Sequence, residues 1–304
     1  MTDPASPDPA RSFGSVADSY DRGRPSYPTD AVKWLIGDEP CSVLELGAGT
    51  GKLTEVLVGL GHDVFATDPD DAMLDILSEK LPDVRATSGT AEQIPTGDGL
   101  YDVVIVGQAF HWFDHAKALA EIGRVLRADG RLALIQNERD ERIPWVRKLG
   151  KLIGKQESDF DPTAILDDSG IFSAVEAQTF RHWQVVDRHS IQDLVLSRSN
   201  IATLEPDAQD RKRREVLAFY DDYGRGMDGM QLPYNCRGWH AQVLPHAQVA
   251  ISTSSTTGAY EVVELDEEPQ PGVPLAKRTD TAVRLPRVIT DPDGGDDDLL
   301  IDFR

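Results

Sequence analysis

The chain has 304 residues, with 52 acidic against 31 basic side chains and a formal net charge of −21, a balance that argues against a nucleic-acid partner because phosphate binding draws mainly on Lys and Arg. Apolar content of 40% supports a packed core, and no run of about 18 apolar residues is present to span a membrane. Two distant cysteines, Cys41 and Cys236, make neither a disulfide framework nor a four-ligand zinc site, and the opening residues lack the positive and apolar regions of a secretory signal, so a reducing, cytoplasmic setting is expected.

In chain order, residues 1–11 are rich in Pro, Asp and Ser and are expected to be disordered. Two short helices broken near Pro25 and Pro28 are expected over 12–36, and residues 41–46 read as a first strand. Residues 52–60 place Leu53, Val56, Leu57 and Leu60 on one helical stripe, which Gly61 ends. A second strand covers 63–67, and Pro69 suits the first turn of the next helix, whose core side carries Met73, Leu77 and Leu81. Residues 84–87 form a third strand, and the nearly all-apolar 101–107 a central fourth, covered on both faces. Asp114 is expected to cap a helix with Leu119, Ile122, Val125 and Leu126 inward and Arg127 and Gly130 closing it, before a fifth strand over 131–136.

This alternation predicts an α/β fold: a Rossmann-like parallel sheet of order 3-2-1-4-5, helices on both faces, with ligands at the switch point between strands 1 and 4. Beyond Asn137, helices are expected over 143–153, 190–203 and 206–223, and long strands over 175–186 and 232–244. Residues 266–304 form an acidic tail rich in Pro, Asp and Gly that is expected to be disordered; its apolar end, 299–303, is either an apolar terminus without a partner or, alternatively, a partner-docking segment.

The chemistry concentrates in residues 43–51, Val-Leu-Glu-Leu-Gly-Ala-Gly-Thr-Gly. Gly47, Gly49 and Gly51 let the backbone approach a ligand more closely than any Cβ permits. Asp68, just past the neighbouring strand, is placed to accept ribose hydroxyl hydrogens; capping the following helix is its competing structural role. A dinucleotide fingerprint is G-x-G-x-x-G and faces a pyrophosphate. Here the spacing is G-x-G-x-G and the strand carries an acid, Glu45, which suits a cationic ligand better.

The pattern resembles the first motif, acid-x-G-x-G-x-G, of the class I S-adenosylmethionine-dependent methyltransferases. Residues 13–20 and 24–28 resemble that family's entry segment, and Gly89-Thr90-Ala91-Glu92-Gln93-Ile94-Pro95 its adenine-side loop. Gln108-Ala109-Phe110-His111-Trp112-Phe113 is similar to the segment after strand 4 in the small-molecule branch, which includes trans-aconitate methyltransferase-like proteins. The resemblance implies a methyltransferase domain over 12–245, with a cofactor-binding core over 41–137 and a substrate-roofing region over 138–245 whose late strands finish the sheet as an antiparallel pair.

It further implies S-adenosylmethionine as cofactor, held by Tyr20, Arg24, Glu45, Gly47, Ala48, Gly49, Gly51, Asp68, Pro69, Ala91, Glu92 and Gln108, and a small-molecule acceptor. His111 would lie near the transferable methyl, where a neutral imidazole can take a proton from the acceptor; shaping the pocket wall is its alternative role. His111 and His115 stand at i, i+4, but no third ligand accompanies them and no metal is expected. Two rival readings are a cofactor-binding module of the same fold without turnover, and a nicotinamide-dependent oxidoreductase, which needs the longer glycine spacing.

Overall fold

A computed structural model describes residues 21–154, 156, 160–198, 201, 204–223 and 229–245. The expectations for residues 1–11 and for the tail 266–304 lie outside the described residues, as does Tyr20. Seven strands form one sheet: β1 (Ser42–Leu46), β2 (Asp63–Asp68), β3 (Arg85–Ser88), β4 (Tyr101–Gly107), β5 (Leu126–Arg139), β6 (Glu176–Val186) and β7 (Met230–Gln242). Their order is β3-β2-β1-β4-β5-β7-β6. The first five are mutually parallel, while β7 runs against both β5 and β6. The late strands therefore complete the sheet through antiparallel pairings, with β7 the reversed strand.

The helices are α1 (Thr29–Ile36), α2 (Lys52–Gly59), α3 (Asp71–Lys80), α4 (His115–Val125), α5 (Pro144–Ile153), α6 (Thr163–Ser169), α7 (Ser190–Leu196) and α8 (Pro206–Tyr223). Because side chains alternate along a strand, β1, β4 and β5 supply both faces of the core at once. Leu44, Leu46, Val104, Val106, Leu132 and Leu134 pack with Leu119 and Ile122 of α4 on one face. Val43, Val103, Ile105, Ala133 and Ile135 pack with Val32 and Leu35 of α1 and Leu53 and Leu57 of α2 on the other. A separate cluster, including Val146, Leu149, Leu194, Val216, Phe219 and Leu232, joins α5, α7 and α8 to the start of β7 and places a helical layer near the carboxyl ends of the strands.

Three local expectations are corrected. The cap of α3 is Asp70, whose carboxylate accepts the Ala72 N–H at 3.0 Å, so Pro69 precedes the cap and Asp68 has no capping duty. Helix α4 passes into β5 at Leu126 without a closing loop, which puts Arg127 and Gly130 inside the strand. The sequence reading missed α6, since its one buried side chain, Leu166, gives no periodic stripe to detect. Among the described residues no helix is long and apolar enough to cross a membrane.

Candidate active site

The loop between β1 and α2 sits on the end of β2: the N–H groups of Gly47 and Ala48 both donate to the Thr67 carbonyl, at 2.8 and 3.0 Å. Gly47 has φ 70°, and a Cβ there would lie 2.5 Å from the Ala109 Cβ. Gly49 has φ 55°, but a Cβ there would find nothing within 4 Å. One glycine is thus required by packing, whereas the other faces open space that a ligand can use. Gly51 caps the start of α2.

Two buried acids flank this loop. Asp68 accepts the Gly49 N–H at 2.8 Å through Oδ2 and the Asp70 N–H at 2.9 Å through Oδ1. Burial pushes the Asp68 carboxyl up, and the two amide bonds only partly offset it. Glu45 is 1% exposed, and its Oε2 accepts the Thr54 hydroxyl at 2.7 Å. Burial pushes it up to about 8, opposed by the Thr54 bond and reinforced by the charge of Asp68. A cation brought beside Glu45 would favour its ionised form, so the site stores affinity for positive charge.

Arg24, Tyr27, Glu45, Gly47, Ala48, Gly49, Thr50, Lys52 and Gln108 line a cavity of about 450 Å³ counted to its open mouth. Its walls carry both signs: Glu45 below the loop, Arg24 and Lys52 beside it. A short strap of residues before α1 closes one side. Asp21 accepts the Thr50 hydroxyl at 2.8 Å and the Lys80 ammonium at 2.7 Å, with Lys52 at 3.7 Å. Burial raises the Asp21 carboxyl, yet these hydrogen bonds and charges outweigh it and hold the group below the usual carboxylate range. At the strap's other end Arg22 pairs with Asp193 at 2.9 Å and Arg24 donates to the Ser197 carbonyl at 3.0 Å, reaching the region of α7.

Gln108 follows β4 in a left-handed conformation, φ 60°. Its Nε2 donates to the Asn137 carbonyl at 3.1 Å, Asn137 Nδ2 donates to the Ser26 carbonyl at 3.1 Å, and His182 Nε2 lies 2.9 Å from Asn137 Oδ1. Gln108 also lines a second cavity of about 210 Å³, counted in the same way, with Phe110, His111, Gln136, Phe160 and Trp239. The two cavities therefore share one wall.

Residues 44–134 match the family described as "Methyltransferase domain". An uncharacterized methyltransferase of Mycobacterium tuberculosis is 42% identical over 230 residues, covering 75% of this chain and 93% of the relative. One from Schizosaccharomyces pombe is 33% identical over 234 residues, covering 74% and 93%. The chain belongs to the class I S-adenosylmethionine-dependent methyltransferases. A solved putative methyltransferase from an antibiotic biosynthesis pathway of Anabaena variabilis shares the fold at 21% identity and TM-score 0.53, over 70% of this chain and 95% of that one.

In this methyltransferase the sequence-predicted residues divide into three groups. Arg24, Glu45, Gly47, Ala48, Gly49 and Gln108 meet at the first cavity, and Asp68 is bonded to its loop. His111 belongs to the second cavity, with its ring 4.7 Å from that of Trp112. The rest take other positions. Ala91 is core, 5% exposed, and Pro69 only leads into the cap of α3. Glu92 turns to the start of α4, where it accepts the Asp114 N–H at 2.8 Å, and lines neither cavity. His115 donates to the Phe110 carbonyl at 3.1 Å and stacks on that ring, so it does not join His111. Among the described residues no three His, Cys, Asp or Glu side chains gather to hold a metal.

Sequence reasoning missed Asp21, Thr54, Asn137 and His182. Asp21, Asn137 and His182 owe their places to partners far along the chain or to strand register, which leave no local motif, whereas Thr54 meets Glu45 nine residues away through the first turn of α2.

Proposed function

We propose that this methyltransferase moves the methyl group of S-adenosylmethionine to a small-molecule acceptor held beside Gln108. The observation that carries the reading is the Gly49–Asp68 unit at the first cavity: a loop with open space over its middle glycine, bonded to an acid whose oxygens have further lone pairs for ribose hydroxyls. The residues present fit the cofactor. Glu45 is a desolvated acid suited to a positive group, and Arg24 and Lys52 supply positive charge for a carboxylate.

The cofactor, when bound, supplies an activated methyl on sulfur. The chain then has to align acceptor and methyl and keep water out, and such positioning is worth about 7–11 kcal/mol. The Asp21–Arg24 strap shields one side of the cavity, and Gln108, fixed through Asn137, sets the boundary between cofactor and acceptor. His111 stands on the acceptor side, in reach of a proton-transfer or a wall role. The net charge of −21 supports a metabolite over nucleic acid, and the free thiols of Cys41 and Cys236 fit a cytoplasmic setting.

Transfer of labelled methyl from S-adenosylmethionine into a metabolite extract, beside tRNA, rRNA and DNA, tests this function. Label in a metabolite is expected; label in nucleic acid alone overturns the acceptor class.

A further inference from the structure

Polar side chains on the inward face of a sheet need hydrogen-bond partners, and two of those on the outermost strand, β6, serve the strap before α1. Side chains alternate along β6, so His182 and Gln184 turn inward and are half-buried, while Arg181, Trp183 and Val185 stand exposed. Gln184 Nε2 donates to the Gly23 carbonyl at 3.0 Å, and its Oε1 accepts the Tyr234 hydroxyl at 3.1 Å. Asn137 repeats the arrangement at Ser26, with its Oδ1 turned to His182. A carbonyl can only accept, so each amide presents its nitrogen to the strap and its oxygen to the sheet. The Tyr234 hydroxyl and the His182 N–H fix those orientations. Their rings are register partners on β7 and β6 and stack at 5.4 Å, so the two amides share one support.

The carbonyls held in this way bracket Arg24 and Pro25, which line the first cavity. From the other side α7 presses on the same backbone, since a Cβ on Gly23 would lie 2.4 Å from the Asp193 carbonyl oxygen. Arg24 Nη2 meets the Ser197 carbonyl just past that helix. Arg24 is thus clamped between β6 and α7, and a shift away from the cavity costs the Gln184 bond. A guanidinium–carboxylate pair depends on fork geometry, so a displaced strap is felt there first.

We propose that Gln184 is a positioning residue for cofactor binding: from the far edge of the sheet it sets the strap so that the Arg24 guanidinium meets the carboxylate of S-adenosylmethionine. The role rests on the reading of the first cavity as the cofactor's.

A matched pair of ligands tests it. The full chain is titrated by calorimetry with S-adenosylhomocysteine and with its decarboxylated analogue, 5′-(3-aminopropylthio)adenosine, which lacks only the carboxylate. Wild type is expected to prefer the first by at least about tenfold. Gln184→Leu is expected to cut that margin at least about fourfold and to leave affinity for the analogue nearly unchanged, which also reports an intact fold. Tyr234→Phe, which removes only the hydroxyl that orients the amide, is expected to move the margin the same way. In an Arg24→Ala background Gln184→Leu is expected to change the margin less than about twofold, because Gln184 acts through Arg24. Both ligands weakened alike by Gln184→Leu, or an equal cut with and without Arg24, overturns the positioning role; should that variant not fold, an unchanged margin in Tyr234→Phe does so. Wild type that binds the two ligands equally overturns the role and leaves the cofactor reading standing. A folded chain that binds neither overturns both.

Discussion

The Oδ2 oxygen of Asp68 accepts the backbone N–H of Gly49 at 2.8 Å, so the acid at the end of β2 and the middle of the glycine loop form one unit. Hydrogen bonds to an ionised group are worth about 1.5–3 kcal/mol each. Asp68→Ala removes both those inside the protein and those proposed to the ribose. It is expected to lower S-adenosylhomocysteine affinity by at least about 100-fold by calorimetry. A loss under about threefold in a folded variant would show that the ribose lies elsewhere.

Gly47 and Gly49 separate packing from binding. Gly47→Ala drives a methyl group against the Ala109 Cβ and is expected to lower Tm markedly. Gly49→Ala meets only open space and the cost of a left-handed alanine, about 1–2 kcal/mol, so its main effect is expected on cofactor affinity. Equal losses of both properties in both variants would contradict this division.

Glu45 makes stability depend on pH with a definite sign. Its folded carboxyl is raised from the ordinary 4.5 to about 8, so the folded chain holds an extra proton between those values. The stabilisation is complete below the unfolded value and is lost as pH rises through the folded one. Relative to wild type, Glu45→Gln is therefore expected to gain Tm as pH is raised from about 5 to about 9. A difference that stays flat across that range would mean Glu45 is ionised in the fold.

Asp21 links the strap to the loop through Thr50 and Lys80. Asp21→Ala is expected to weaken cofactor binding by about tenfold, through three lost polar contacts at a partly buried site. Unchanged affinity would make the strap a bystander.

For His111, the ring's place among Trp112 and Phe160 favours a wall. His111→Ala is expected to raise KM for the acceptor while kcat falls less than about tenfold. A general base would cost about 10²–10⁴ in kcat.

The order 3-2-1-4-5 was legible from the alternation of strands and helices along the chain, and the bounds of β4 from its continuous apolar run; those of α8 matched as well. So was the glycine loop, whose spacing is itself the signal. Glu92 was less legible, since a loop carboxylate reads the same whether it faces a ligand or accepts the Asp114 N–H at the start of α4, as it does here. The second cavity was the least legible. Phe160, Trp239 and Arg237 come together only because β7 inserts beside β5 and carries residues 237 and 239 to the face below the loop after β4. No spacing in the sequence encodes that meeting.

The most direct test is a calorimetric titration of the purified full chain with S-adenosylhomocysteine, beside the Asp68→Ala variant. Saturable binding at one site per chain, lost or greatly weakened in the variant, is the expected result. A folded wild-type chain that gives no binding heat across several temperatures would contradict the cofactor assignment and the function proposed from it.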